Sequence, residues 1–152
     1  MRRRIEGYVD SGYGSCFLRD RRVAAIVRDT LLFHHNTKYI LHAWVIMPNH
    51  AHILAQPLKG VHLPKLVHSI KSYSAQKANE VLSRTGKFWQ HDFFDRYIRS
   101  TRHFSAVLRY IHNNPVKAGL CTRPEEWEFS SACNASGVGE QGCSPPQLIN
   151  RL

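Results

Sequence analysis

Apolar residues first recur at helical spacing in the segment that follows Asp20. They lie three or four residues apart, which places them on one face of a helix: Val23, Ile26, Val27 and Leu31. Aspartate is favoured immediately before the first helical turn, where its side chain can accept a backbone hydrogen bond. The pattern predicts an amphipathic helix from Asp20 to about His34.

The next segment, from Lys38 to Met47, is dense in β-branched and aromatic residues. Met47-Pro48-Asn49 interrupts it, and an apolar pattern resumes from His50 to Gln56. Two short strands joined by a tight turn are therefore predicted, with His50 at the very start of the second strand.

A second helix is predicted from about Leu63, with Gly86 ending it. Its buried face is expected to hold Leu66, Val67, Ile70, Tyr73, Ala78 and Val81. The aromatic segments Phe88–Gln90 and Phe93–Ile98 are suited to further strands.

A third helix is predicted after Ser100 or Thr101, either of which can cap it. It should carry Phe104, Leu108 and Ile111 inward. We expect it to stop near Pro115, because the residue before a proline is disfavoured in the helical region. Beyond it, Pro124–Ala132 is predicted to be a loop held in place by Trp127.

Alternation of strands and helices predicts an α+β fold, with an antiparallel sheet and helices packed on one face. A chain of 152 residues suits one domain. We expect residues 1–133 to form that domain and residues 134–152, where Gly, Ser and Pro are frequent, to be a poorly ordered tail.

The charge balance adds a partner class. The chain has 21 Lys+Arg against 11 Asp+Glu, a formal net charge of +10, which favours binding to polyanions such as nucleic acid. The four cysteines show no C-x-x-C spacing and no zinc-finger pattern. No continuous apolar stretch suggests a signal peptide or a membrane span, so a cytoplasmic protein without membrane contact is expected.

His50 and His52 are the first residues that suggest chemistry. Side chains two apart on a strand point to the same side, so the two imidazoles can be presented to one metal ion. The chain contains 10 histidines, however, and the pair alone leaves metal-binding and structural interpretations equally open.

Tyr110 and Asn114 are the second pair. They lie one helical turn apart and about 40° from each other around the helix axis, away from the centre of the apolar stripe. A tyrosine has an ordinary pKa of about 10, so it needs a cation or base nearby to act as a nucleophile. Without the histidines, a boundary tyrosine with a solvated hydroxyl would be the better interpretation.

Four blocks, in order, resemble the REP-associated tyrosine transposases, which belong to the HUH class of single-strand DNA nucleases. The resemblance covers roughly Tyr39 to Ala132. The blocks are Met47–His52, Phe88–Gln90 with Phe94–Arg99, Tyr110–Gly119, and Trp127 with Ser130 and Ser131.

The resemblance implies a ferredoxin-like (RRM-like) domain that cleaves and rejoins single-stranded or hairpin DNA, as a monomer or a homodimer. It implies that Tyr110 forms a covalent 5′-phosphotyrosine and that His50 and His52 hold Mg²⁺ or Mn²⁺. The related insertion-sequence enzymes often carry a glutamine one turn after the tyrosine, where Asn114 stands here, and its shorter side chain leaves direct ligation open.

Two departures from the family pattern stand out. Members usually begin with an additional strand before the first helix, and Arg2–Gly14, with its three glycines, is a poor match for it. Either the sequence starts late or the sheet lacks its first strand. Ala51 is also smaller than the bulky residue that often separates the two histidines.

Several residues are proposed for DNA contact as a group, although each taken alone fits a solvated charge or a core aromatic as well. The phosphate-binding group is Lys71, Lys77, Arg96, Arg99, Arg102, Arg109 and Lys117, with Trp89 or Phe93 for base stacking. Tyr73 is a rival nucleophile, but its predicted place on a buried stripe favours packing.

Two other functions stay open. The first is an RRM-like module that binds hairpin DNA or RNA without cutting it. The second is a zinc-dependent hydrolase, in which His42, His91 or His112 would join His50 and His52 as the third ligand.

Overall fold

The computed structural model describes residues 15–90, 94–133 and 147–151. Three helices alternate with strands, which confirms the predicted α+β fold. The helices are α1 (Arg21–Phe33), α2 (Leu63–Val81) and α3 (Thr101–Lys117). The strands are β1 (Tyr39–Ile46), β2 (Ala51–Pro57), β3 (Phe94–Tyr97) and β4 (Gln147–Arg151). Among these residues, no helix is both long and apolar enough to cross a bilayer.

The four strands form one sheet in the order β1-β2-β4-β3, and β4 is antiparallel to both of its neighbours. The expectation of a poorly ordered tail is wrong for Gln147–Arg151, which supplies this interior strand. Pairing satisfies backbone groups that β2 and β3 would otherwise leave open, a long-range gain that local composition does not signal. The rest of that predicted tail, and the Arg2–Gly14 segment, lie outside the described residues.

The helices do not all lie on one side of the sheet. α1 and α2 cover one face, as predicted, whereas α3 covers the other. The register of β1 against β2 shifts between Leu41 and Ala43, so His42 is an extra residue. Such a bulge changes which residues face each side, and from Ala43 onward alternate β1 side chains turn toward α3. A prediction based on strict alternation could not detect this.

The predicted helix starts are confirmed. Oδ1 of Asp20 accepts from the backbone N of Arg22 at 2.9 Å, and the Arg22 side chain also binds this carboxylate. These hydrogen bonds lower the pKa of Asp20 to about 2. Oγ of Ser100 accepts from the backbone N of His103 at 3.1 Å and caps α3.

Two helix ends differ from prediction. α2 ends at Val81, before Gly86, because Ser83 adopts a left-handed φ of 50° and turns the chain. α3 continues through Pro115 to Lys117. Proline removes one N–H donor, but its own carbonyl still accepts from the backbone N of Leu120 at 2.9 Å, so the last turn remains bonded.

The buried face of α2 departs from prediction at one position. Tyr73 is 53% exposed, and Ser74 is buried in its place. Nε1 of Trp89 donates to Oγ of Ser74 at 2.9 Å, which places the indole in the core against α2. Phe88–Gln90 is irregular and not a strand.

The loop after α3 covers the open edge of β1. As predicted, Trp127 holds it in place: Nε1 donates to the carbonyl of Ile46 at 3.0 Å. The backbone N of Ser131 donates to the carbonyl of Trp44 at 2.9 Å. These bonds protect an edge strand that would otherwise present unpaired backbone groups.

Candidate active site

The turn between β1 and β2 places His50 and His52 side by side. β2 begins at Ala51, one residue later than predicted, so His50 immediately precedes the strand. His52 pairs with Val45 across the hairpin. The two ring centroids lie 4.7 Å apart, with an interplanar angle of 82°. The side chains are 4% and 1% exposed, and both Nε2 atoms are buried. The arrangement can present two imidazole nitrogens to one small ligand.

His50 also has a well-defined neighbour. Its Nδ1 lies 2.6 Å from Oδ1 of Asn49. The backbone N of Met47 donates to the carbonyl of His50 at 2.8 Å, which closes the turn that carries both residues. Asn49 was predicted only as a turn residue, and the local sequence does not signal this side-chain contact.

α3 brings Tyr110 to the histidines. The ring centroids of Tyr110 and His52 lie 5.5 Å apart, and the rings pack edge to face. Val107 and Ile111, which flank Tyr110 on the inner side of α3, are buried against Val45 and Leu54. The structure thus brings together the phenol and the two imidazoles, which lie in separate segments of the sequence.

Asn114 follows one turn after Tyr110 and is buried on the same helix. An amide in this place can offer an oxygen toward a cation, since hard divalent ions prefer oxygen ligands.

The zinc interpretation requires a third ligand beside His50 and His52. In the described part of the chain, no group of three His, Cys, Asp or Glu is placed to hold a metal. Nε2 of His112 instead lies 2.9 Å from Oγ of Ser131. His42 lies beside Gln56 and packs edge-on against Phe104, and burial lowers its pKa. His91 lies outside the described residues.

The predicted phosphate-binding residues separate into two groups. Arg99, Arg102, Arg109 and Lys117 are exposed on α3 or just before it. Lys71 and Lys77 belong to α2, which covers the other face of the sheet, and they bind the carbonyl of Gln90 and the carboxylate of Glu80. The side chain of Arg96 lies outside the described part.

The predicted base-stacking residue Trp89 is not accessible, because its indole is buried in the core beside α2. The expectation for Trp89 is therefore wrong, and Phe93 lies outside the described residues. Tyr97, which the sequence interpretation did not select, is 61% exposed near Arg99. Its neighbour Ile98 is buried beneath α3, so an alternating pattern at the end of β3 could have indicated the exposed ring.

Comparisons with known proteins point to one family. The family described as "Transposase IS200 like" matches residues 20–114. A REP-associated tyrosine transposase from Escherichia coli (strain K12) is 25% identical over 123 residues, covering 75% of this chain and 71% of that protein.

A solved structure, described as the REP-associated tyrosine transposase bound to a REP hairpin, has a similar fold. Its TM-score is 0.66 at 22% identity, over 86% of this chain and 77% of that one. The family match spans more than half of the chain and includes His50, His52 and Tyr110. The chain therefore belongs to the IS200-like transposase family.

Proposed function

We propose that this protein is a metal-dependent transposase that cleaves and rejoins single-stranded DNA through a 5′-phosphotyrosine on Tyr110. The observation that carries the proposal is the ring-to-ring packing of His50, His52 and Tyr110, which joins a loop, a strand and a helix at one place. A tyrosine used only for packing would not need two adjacent buried imidazoles.

The donor set fits a divalent cation that keeps part of its shell open. His50 and His52 supply two nitrogens, and Asn114, water or a phosphate oxygen would supply the rest. Oxygen-rich, partly hydrated coordination suits Mg²⁺, and imidazole ligands favour Mn²⁺. When bound, such an ion would polarise a phosphate oxygen and stabilise the charge that develops during the reaction.

Tyr110 would supply the nucleophile. Oη of Tyr110 would attack phosphorus in line with the leaving 3′ oxygen, so that the Oη–P bond forms as the P–O3′ bond breaks. The phenolic proton would pass to water and the departing 3′ oxygen would take one up from water, so that no net proton is gained or lost. Because the tyrosyl link retains a phosphodiester, a second DNA 3′-hydroxyl can reverse the attack and join strands.

The substrate is expected to run along the exposed side of α3. Arg102 and Arg109 are seven residues apart, about 20° from each other around the axis, and Lys117 extends the same exposed side. These cations would contact phosphates, and the exposed ring of Tyr97 would stack on a base. Hairpin DNA is the substrate form suggested by the hairpin-bound relative.

Covalent capture tests the proposal. The protein would be incubated with Mn²⁺ and single-stranded hairpin DNA taken from around its own gene, and adducts would be resolved on a denaturing gel. Tyr110→Phe should abolish the adduct, because it removes the attacking oxygen, while leaving DNA binding nearly intact. Tyr73→Phe is the matched control, since Tyr73 is exposed on α2, which covers the opposite face of the sheet.

Adduct formation by Tyr110→Phe would reject the nucleophile. The double variant His50→Ala, His52→Ala should lose metal-dependent cleavage, with His68→Ala, an exposed histidine of α2, as its control. Tight hairpin binding without any adduct in the parent protein would instead identify a non-catalytic binding module. Stoichiometric zinc, with cleavage unaffected by Tyr110→Phe, would identify a hydrolase.

Tyr110 lies beside His52 of its own chain, which supports action by a monomer in cis. Mixing Tyr110→Phe with the double histidine variant should then restore no adduct. Recovery of adduct formation in the mixture would indicate a homodimer that uses tyrosines in trans.

A further inference from the structure

Asn49 makes a short side-chain contact with His50. Its Oδ1 lies 2.6 Å from Nδ1 of His50, within strong hydrogen-bond range. Asn49 is half-buried and His50 is buried, so water competes weakly for this bond.

The contact with Asn49 favours one tautomer of a neutral His50 imidazole. A neutral imidazole has one N–H and one unprotonated nitrogen, and an amide oxygen can only accept. With Oδ1 of Asn49 facing the ring, a neutral His50 can form this bond only when Nδ1 carries its proton. Nε2, which is buried in the pair with His52, then presents its lone pair.

The turn that carries Asn49 is held at two points. The backbone N of Met47 donates to the carbonyl of His50 at 2.8 Å. The backbone N of Leu18, in the 3₁₀ turn Phe17–Arg19, donates to the carbonyl of Pro48 at 3.1 Å. Because the backbone on both sides of Asn49 is bonded, the turn restricts where its side chain can reach, and its amide oxygen lies against the imidazole.

We propose that Asn49 is a positioning residue that holds His50 in the Nδ1–H tautomer and orients its ring so that Nε2 is ready to bind a divalent cation. The metal-binding part rests on the proposed function, whereas the tautomer does not. Groups that bind the second nitrogen of a metal-binding histidine commonly contribute about 10- to 100-fold to metal affinity.

Two measurements on the full chain test the proposal. Imidazole ¹⁵N correlations of the ¹⁵N-labelled, metal-free protein report which nitrogen of His50 is protonated. The parent should show Nδ1–H, and Asn49→Ala should shift His50 toward Nε2–H. Titration with MnCl₂ in a calorimeter should show an affinity roughly 10- to 100-fold lower for Asn49→Ala.

Two further variants make the test specific. Asn49→Asp keeps an accepting oxygen at the same distance along the side chain, so it should keep the Nδ1–H tautomer and the affinity for Mn²⁺. Asn113→Ala is the control, because Asn113 is exposed and its amide donates to the carbonyl of Arg109. It should change neither measurement.

The proposal is overturned if the parent shows Nε2–H at His50, or if folded Asn49→Ala retains both tautomer and affinity. If Asn49→Ala does not fold, loss of the Nδ1–H tautomer in Asn49→Asp overturns it equally. The outcome is separable from the nuclease proposal. If the parent forms no Tyr110 adduct but Asn49→Ala binds Mn²⁺ more weakly, only the nuclease proposal is rejected. If the adduct forms but Asn49→Ala binds Mn²⁺ as tightly as the parent, only the role of Asn49 is rejected.

Discussion

The face of the sheet covered by α1 and α2 buries eighteen described residues in one hydrophobic cluster, whereas the face covered by α3 buries seven. Buried hydroxyls on the first side are bonded locally: Thr30 donates to the carbonyl of Ile26, and Ser74 to that of Ile70, each one turn back in the same helix. On the second side His52 is buried beside Tyr110, and Asn114 of α3 is also buried.

The difference shows how one small domain can support both stability and chemistry. Burial of apolar surface is the main stabilising term, and burial of polar groups is costly unless they are well bonded. A large apolar cluster on the α1–α2 side can offset the cost of burying imidazoles and an amide on the α3 side. We therefore expect substitutions on the two sides to separate stability from activity.

The largest effect is expected from a pair of matched core truncations. Ile70 of α2 and Ile111 of α3 are both fully buried, in the large and the small cluster respectively. Large-to-small changes of this kind cost about 2–5 kcal/mol of unfolding free energy, and less where the surroundings can collapse. Ile70→Ala should lie toward the upper end and Ile111→Ala toward the lower end, as measured by urea denaturation.

Ile111 directly follows Tyr110, so its truncation should also slow adduct formation under conditions where the protein stays folded. Ile70→Ala should leave the adduct rate of the folded fraction near that of the parent. If Ile70→Ala and Ile111→Ala lost equal stability and changed the adduct rate equally, the two faces would not differ in the proposed way.

A smaller effect separates two aromatic residues. Tyr97→Ala should weaken binding of single-stranded DNA by about 1–3 kcal/mol, the usual contribution of one stacked base. Trp89→Phe should leave DNA affinity unchanged and instead reduce the unfolding free energy by about 1–3 kcal/mol, because buried Ser74 loses its donor. Fluorescence anisotropy with labelled DNA and urea denaturation distinguish the two. A loss of DNA affinity in Trp89→Phe would restore the indole as a stacking residue.

The smallest effect concerns pH. Burial lowers the pKa of His42 on the α3 side, and of His34 at the end of α1, below the ordinary value of 6.5. The unfolded chain therefore takes up protons at higher pH than the folded chain, and stability should fall as pH falls below 6.5. His42→Gln and His34→Gln should each reduce the slope of unfolding free energy against pH in that range. Slopes identical to the parent's would show that neither imidazole resists protonation in the folded state.

Local patterns were sufficient to predict much of the site. The two-residue period of a strand placed His50 and His52 on one side, and the helical period placed Tyr110 beside Asn114. Caps at Asp20 and Ser100 are also local, since each side chain binds a backbone N–H two or three residues away. These features depend on bonds within a few residues, which a sequence displays directly.

Features that depend on distant contacts were missed. α3 covers the opposite face of the sheet, and the bulge at His42 changes which β1 residues face it. No local signal marks an extra residue in a strand. Trp89 lies in the core because Ser74 accepts its indole N–H, and Tyr73 beside that serine turns outward. A helical stripe identifies a buried side, but the partner that packs against it decides which boundary residues are covered.

The interior position of β4 has a consequence for how the molecule folds. Ile53 of β2 pairs with Ile149, so this part of the sheet joins segments separated by most of the chain. Pairings of such high contact order form slowly, because the long loop between them must first be closed. The hairpin of β1 and β2 is local and is expected to form earlier. During that interval the strand that carries His52 would expose an open edge, and the nascent protein would be most vulnerable to intermolecular strand pairing.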